Sequence, residues 1–255
     1  MTQFPNQGGY NSPLDYQTSS MNVPVAQATP EVRSAFIRRT YVHLGGAILA
    51  FVAACAAVQV LVPDTVLVGA LQLVGGWGWL LVLGAAMAMN FAAHKMADNA
   101  SSLGTQYAGL GLGILAQVLI FTPLLTILTQ FFPPEETTRI LMSAGVITLI
   151  IFAALTAFVF LTGYDFSFIG GALFVVGLGA MAAIALSIFL GFSLGIWFTA
   201  AMIAFAAGYI LYDTSNVQRN YFANQHVAAS LALFGSVTLL LYYVIRLVMQ
   251  FAGDE

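Results

Sequence analysis

Seven apolar runs, each long enough to cross a bilayer as a helix, leave this chain few ways to fold. A spanning helix needs about 20 apolar residues in succession. The runs cover approximately Tyr41–Val62, Leu71–Ala93, Gln106–Phe131, Thr137–Leu161, Phe168–Leu190, Gly195–Asp213 and Val227–Phe251. Pro63-Asp64 ends the first, and Phe132-Pro133-Pro134 ends the third. Gly191-Phe192-Ser193-Leu194-Gly195 predicts a tight hairpin between the fifth and sixth. The fold class expected is all-α, a polytopic membrane protein with seven transmembrane helices.

Composition agrees. Charged residues make up 7% and apolar residues 60%, against roughly 25% charged in a soluble domain. The net charge of −3 comes without any basic stripe, so nucleic acid is not an expected partner and the lipid bilayer is. Residues 1–32 are rich in Gln, Asn, Ser, Pro and Gly and read as a disordered polar tail. They lack the basic start and apolar stretch of a signal peptide. The seven-helix domain then occupies residues 33–255. Cys55 is the single cysteine, so no intrachain disulfide can form.

Basic residues in the loops predict the orientation. With the N-terminus in the cytoplasm, Arg33, Arg38, Arg39, Lys95 and Arg219 lie inside, and Arg139 and Arg246 lie outside. Asp213 then falls near the inner boundary, about 27 Å along the sixth helix from Gly195. Arg246 is expected to extend toward the outer headgroups, too far away to pair with Asp213.

Asp213, in Gly208-Tyr209-Ile210-Leu211-Tyr212-Asp213-Thr214-Ser215-Asn216, is the carboxylate set deepest in an apolar segment. An ionisable group in lipid is costly and usually functional. At a helix C-terminus it also faces the negative end of the macrodipole. Two readings stand: a proton- or cation-sensing group, or a carboxylate solvated at the interface with Arg219 as charge partner. Asp165, in Thr162-Gly163-Tyr164-Asp165-Phe166-Ser167, is placed to cap the fifth helix, with a cation-pathway role as the alternative.

Other motifs carry less. The pattern Gly191-x-Ser193-x-Gly195 matches serine hydrolases, but it lacks the preceding strand and any histidine on the same membrane face. His43, His94 and His226 share a face, yet they flank different helices and show no close ligand spacing, so interfacial histidines are expected rather than zinc. The one lysine, Lys95, excludes a retinal Schiff base on the seventh helix. No enzyme chemistry and no cofactor are expected. Gly109 and Gly113 have the spacing of close helix packing. Pro123 should interrupt the third helix and free a backbone carbonyl.

Three stretches, Arg38-Arg39-Thr40-Tyr41, Asp165-Phe166-Ser167-Phe168-Ile169-Gly170-Gly171 and Gly208 to Asn216, resemble the Bax inhibitor-one family (transmembrane Bax inhibitor motif proteins), including its bacterial YccA-like branch. The resemblance covers roughly Val32 to Phe251. It implies six helices around a central seventh, a pH-sensitive leak for calcium ion, and a role in ion homeostasis or stress protection. For some bacterial members it implies association with a membrane-anchored ATP-dependent protease. It also implies two aspartates, one on the sixth and one on the seventh helix, that share a proton in the closed state. Asp213 matches the first. Ser236 stands where the second belongs, and no acidic residue occurs between Val227 and Gly253. The plasma (inner) membrane of a bacterium is the expected location, or endoplasmic reticulum or Golgi in a eukaryote.

Overall fold

A computed structural model describes residues 23–73, 75–99 and 102–253. The first 22 residues of the expected tail lie outside this range. Among the described residues eight α-helices follow one another: α1 (Pro30–Leu61), α2 (Asp64–Leu73), α3 (Trp77–Ala97), α4 (Leu103–Phe131), α5 (Pro134–Thr162), α6 (Gly170–Leu190), α7 (Gly195–Arg219) and α8 (His226–Ala252). A 3-10 turn, Val25–Gln27, precedes α1, and another, Ser167–Ile169, leads into α6. No strand occurs among the described residues. All the long helices can span a bilayer, and α2, with 10 residues, is too short.

Helix ends follow local chemistry. α1 starts well ahead of the apolar run at Tyr41, because Pro30 occupies its first turn with Glu31 beside it. Helical hydrogen bonding does not stop where lipid does, so Arg33, Arg38 and Arg39 belong to the same helix. The Ser102 hydroxyl accepts from the Thr105 amide at 3.3 Å and caps α4. α4 continues through Pro123. The hairpin between α6 and α7 turns on Gly191 and Gly195, whose φ angles of 72° and 65° fall in the left-handed region.

α8 is the best-buried span: 56% of its apolar window is enclosed, against 6% for the span that contains α6. It packs on α7, α1, α5, α4 and α3. Phe234 of α8 is wholly buried, and Phe51 of α1 meets it edge-on, with ring centroids 5.8 Å apart. Phe51 also meets Phe121 of α4 at 4.8 Å. α6 stands apart and packs chiefly on α7. α8 thus packs on five of the other long helices, while α6 packs on α7. Large apolar residues such as Leu49, Leu161 and Trp197 remain exposed on the outside, as a surface facing hydrocarbon requires.

The paired glycines act where close approach demands them. A Cβ at Gly109 would lie 2.6 Å from the Ala93 carbonyl oxygen and 2.7 Å from the Ala97 amide nitrogen of α3. A Cβ at Gly113 would collide with Leu231 of α8. These two positions let α4 touch α3 and α8 together.

Ahead of α1, the chain is held down. Val25 is wholly buried, and its amide donates to the Tyr221 carbonyl at 2.8 Å. Pro24 and Phe222 form an isolated antiparallel bridge. Of the residues expected in the tail, Pro24 and Val25 thus lie against the loop that joins α7 to α8.

Candidate functional site

The last turns of α7 turn polar while staying buried: Asp213, Thr214, Ser215 and Gln218 are all enclosed. Asp213 is 7% exposed, and that exposure faces a cavity of about 980 Å³ rather than bulk solvent. The cavity lies among α3, α4, α6, α7 and α8. It exists because α6 leans on α7 and leaves space in front of α8. Gly170 and Gly177 set that lean. A Cβ at Gly170 would come within 2.6 Å of the Tyr212 ring, and one at Gly177 within 3.2 Å of Phe205.

Ser236 of α8 lines the same cavity as Asp213. Its hydroxyl has a partner on its own helix, the Leu233 carbonyl at 3.0 Å. Asp213 therefore shares the cavity with a neutral hydroxyl on α8, a helix that carries no carboxylate. Asn90 and His94 of α3, Gln117 of α4 and Tyr209 of α7 add polar atoms to the wall. The rest of the lining is mostly apolar. A carboxylate, a hydroxyl and two carboxamides on one cavity can coordinate a hydrated cation or hold a proton.

Asp165 and Arg219 form a separate cluster. Asp165 Oδ1 accepts from the Ser167 amide at 2.9 Å and from the Ser215 hydroxyl at 3.2 Å. The Ser215 oxygen accepts in turn from the Phe166 amide at 2.9 Å. Asp165 is not the cap expected from the sequence: Phe166 holds the N-cap position of the 3-10 turn and Ile169 that of α6, and the Asp165 carboxylate instead closes a local turn onto the Ser167 amide. It also ties the α5–α6 loop to the end of α7. The Ser167 amide is the largest influence holding its carboxyl below the usual carboxylate range; the Ser167 and Ser215 hydroxyls and the positive Arg219 act the same way. Arg219 donates to the Gly163 carbonyl. Among the described residues it makes no ion pair with Asp213, and neither Asp165 nor Arg219 lines the cavity.

Tyr221 lies in the loop between α7 and α8, partly buried against the Val25 segment, and desolvation first, then the charges of Asp213 and Asp98, push its phenol upward. The three histidines do not gather at one point. The His43 and His226 rings lie 4.9 Å apart, and His43 Nε2 is 2.9 Å from the Tyr107 hydroxyl. His94 is on the cavity wall instead. No group of three or more potential ligands for a metal occurs among the described residues.

Three contributors escaped the sequence reading. Asn90 and Gln117 were hidden in apolar runs, where a lone amide carries no pattern. Ser215 was visible within the stretch around Asp213, but its partner is 50 residues away. Arg246, expected among headgroups, lines the cavity at the end opposite Asp213.

Seven apolar spans, the C-terminal one the most buried, with a carboxylate opening onto an intramembrane cavity, define a polytopic membrane protein with an ionisable site in its interior. The family described as Inhibitor of apoptosis-promoting Bax1 (Bax1-I) matches residues 33–253, and the chain belongs to that family. It is 32% identical over 124 residues to a BI1-like protein of Arabidopsis thaliana, covering 46% of this chain and 47% of that protein. It is 36% identical over 99 residues to Bax inhibitor 1 of Schizosaccharomyces pombe, covering 38% and 37%. The matched stretches thus span about half of the first relative and a little over a third of the second.

Proposed function

We propose that this chain provides a path for cations, calcium ion among them, across its membrane and so acts in ion homeostasis or stress protection. Asp213 controls passage, and Ser236 faces it across the path. One observation carries the reading: the buried Asp213 carboxylate and Ser236 open together onto a cavity of about 980 Å³ between the spans. A carboxylate that gains or loses a proton there changes the charge a cation meets, which makes the path responsive to pH. Asp165 contributes by holding the α5–α6 loop against the end of α7. In this proposal the N-terminus is cytoplasmic and the membrane is the inner membrane of a bacterium. The protein has no enzymatic step.

The test is calcium flux into dye-loaded liposomes at pH 6 and pH 8, with wild type and Asp213→Asn. The reading expects flux that depends on pH in the wild type and loses that dependence in the variant. Folded protein with no flux above empty liposomes would sink it.

A second reading is favoured by one feature, the presence of Ser236 with no acidic residue anywhere in α8. Without a carboxylate pair, the protein acts as a non-conducting regulator bound to a membrane-anchored ATP-dependent protease. Co-purification with such a protease, weakened by deleting residues 1–22, would support it. A chain that purifies alone while conducting calcium would refute it.

A further inference from the structure

The cavity has a second polar end that the ion-path reading does not use. Arg246 follows Ser236 on α8 by nearly three turns, some 15 Å along the helix. It is half-buried and lines both the main cavity and a neighbouring hollow of about 570 Å³, which Trp79 and Gln250 also line. Tyr242 and Tyr243 stand beside it. A guanidinium keeps its charge. Within a membrane segment such a charge needs water, a counter-ion or a headgroup. Among the described residues no carboxylate pairs with Arg246.

The cavity also has an open side. α3 packs on α4 and α8, and α6 packs on α7, so α3 and α6 share no packed seam. They meet at one end, where Trp77 and Phe189 stack edge-on with centroids 4.0 Å apart. Between these helices the walls are apolar, with Leu83 and Met87 on one side and Leu178 and Met181 on the other. An apolar slot facing lipid, with a lone cation at one end, is complementary to a molecule that joins a negative group to a hydrocarbon chain. The volume of about 980 Å³ reaches the upper range of small-molecule sites.

We propose that the slot between α3 and α6 binds an anionic phospholipid from the leaflet on the Trp77 side. The phosphate sits on Arg246 and one acyl chain fills the apolar groove toward Phe205. Lipid occupancy needs no ion gradient, so this proposal stands or falls apart from the ion-path reading.

The test uses Trp79 as reporter. Trp77→Phe with Trp197→Phe leaves Trp79 as the sole tryptophan and keeps an aromatic ring against Phe189. The protein is placed in phosphatidylcholine nanodiscs doped with either dibrominated phosphatidylglycerol or dibrominated phosphatidylcholine. Bromine on the chain should quench Trp79 about fivefold more steeply per mole fraction from phosphatidylglycerol, the preference that one interfacial cationic side chain confers. Arg246→Gln should bring the two lipids level. A variant keeping only Trp197, 85% exposed on the lipid face, should show no preference in either background. Equal quenching of Trp79 by both lipids in the wild-type background would overturn the proposal, as would a preference that survives Arg246→Gln. Loss of all Trp79 quenching would also overturn it and assign the open side to a second copy of the chain. Circular dichroism and thermal melting establish that each variant is folded.

Discussion

Replacing Gly109 by alanine tests the seam that places α3, and with it Asn90 and His94, against the rest of the bundle. The new methyl would lie 2.6 Å from the Ala93 carbonyl oxygen and 2.7 Å from the Ala97 amide nitrogen. Comfortable non-bonded contact is about 3.5 Å, so the helices must separate by about 0.9 Å. Both obstacles are helix backbone, so no side-chain rotation relieves them. Overpacking of this kind costs about 1–3 kcal/mol. Gly111 supplies the control, because its Cβ would meet nothing within 4 Å. Alanine at either position gains the same helix propensity over glycine, about 1 kcal/mol. The difference between Gly109→Ala and Gly111→Ala is therefore the overpacking cost alone. It corresponds to roughly a fivefold to 150-fold change in the folded-to-unfolded ratio. Equilibrium unfolding in mixed detergent micelles, with the two variants side by side, measures it. Equal stabilities would refute the claim that α3 and α4 meet backbone to backbone at Gly109.

Three further outcomes follow from the same geometry. Phe234→Ala empties the wholly buried position where α1, α4 and α8 converge and should cost about 3–5 kcal/mol in the same unfolding measurement; a loss below 1 kcal/mol would contradict that packing. Ser215→Ala removes the acceptor for the Phe166 amide and the donor to Asp165, and should destabilise by about 1–2 kcal/mol; an unchanged melting temperature would show that the latch is idle. Asp165 has a folded pKa held below its ordinary value. The stability it contributes is full above the unfolded value of about 4 and is lost as pH falls through the lower folded value. Asp165→Asn should therefore flatten the fall of melting temperature between pH 5 and pH 2, and an identical slope would remove Asp165 from the acid response.

Proton uptake at the Asp165 latch and any proton exchange at Asp213 act on opposite sides of the last turns of α7. Ser215, two residues beyond Asp213 on α7, is the partner of Asp165. Asp165 itself does not line the cavity.

Much of the fold was legible because lipid imposes a simple rule. A segment of about 20 apolar residues has to satisfy its own backbone, so counting apolar residues counts helices. Pro133-Pro134 and the glycines of the α6–α7 hairpin marked ends for equally local reasons. Asp213 also stood out, since a lone acid among apolar neighbours is conspicuous without knowing what it touches. The polar start of α1 was missed because helical hydrogen bonds run on past the lipid boundary, where hydropathy no longer reports them.

Which groups share a space with Asp213 was settled only by how the helices lean. The alternation of apolar and small residues along α6 does not say that this helix rests on α7 and stands off from α8. Contacts of Gly170 with Tyr212 and of Gly177 with Phe205 decide that, and they join residues distant in sequence. From that lean come the cavity, its open side, and the inward place of Arg246. Charge, hydropathy and helix ends are properties of short stretches of chain, and this sequence determined them by itself. The cavity depends on the relative positions of five helices, which only their mutual packing decided.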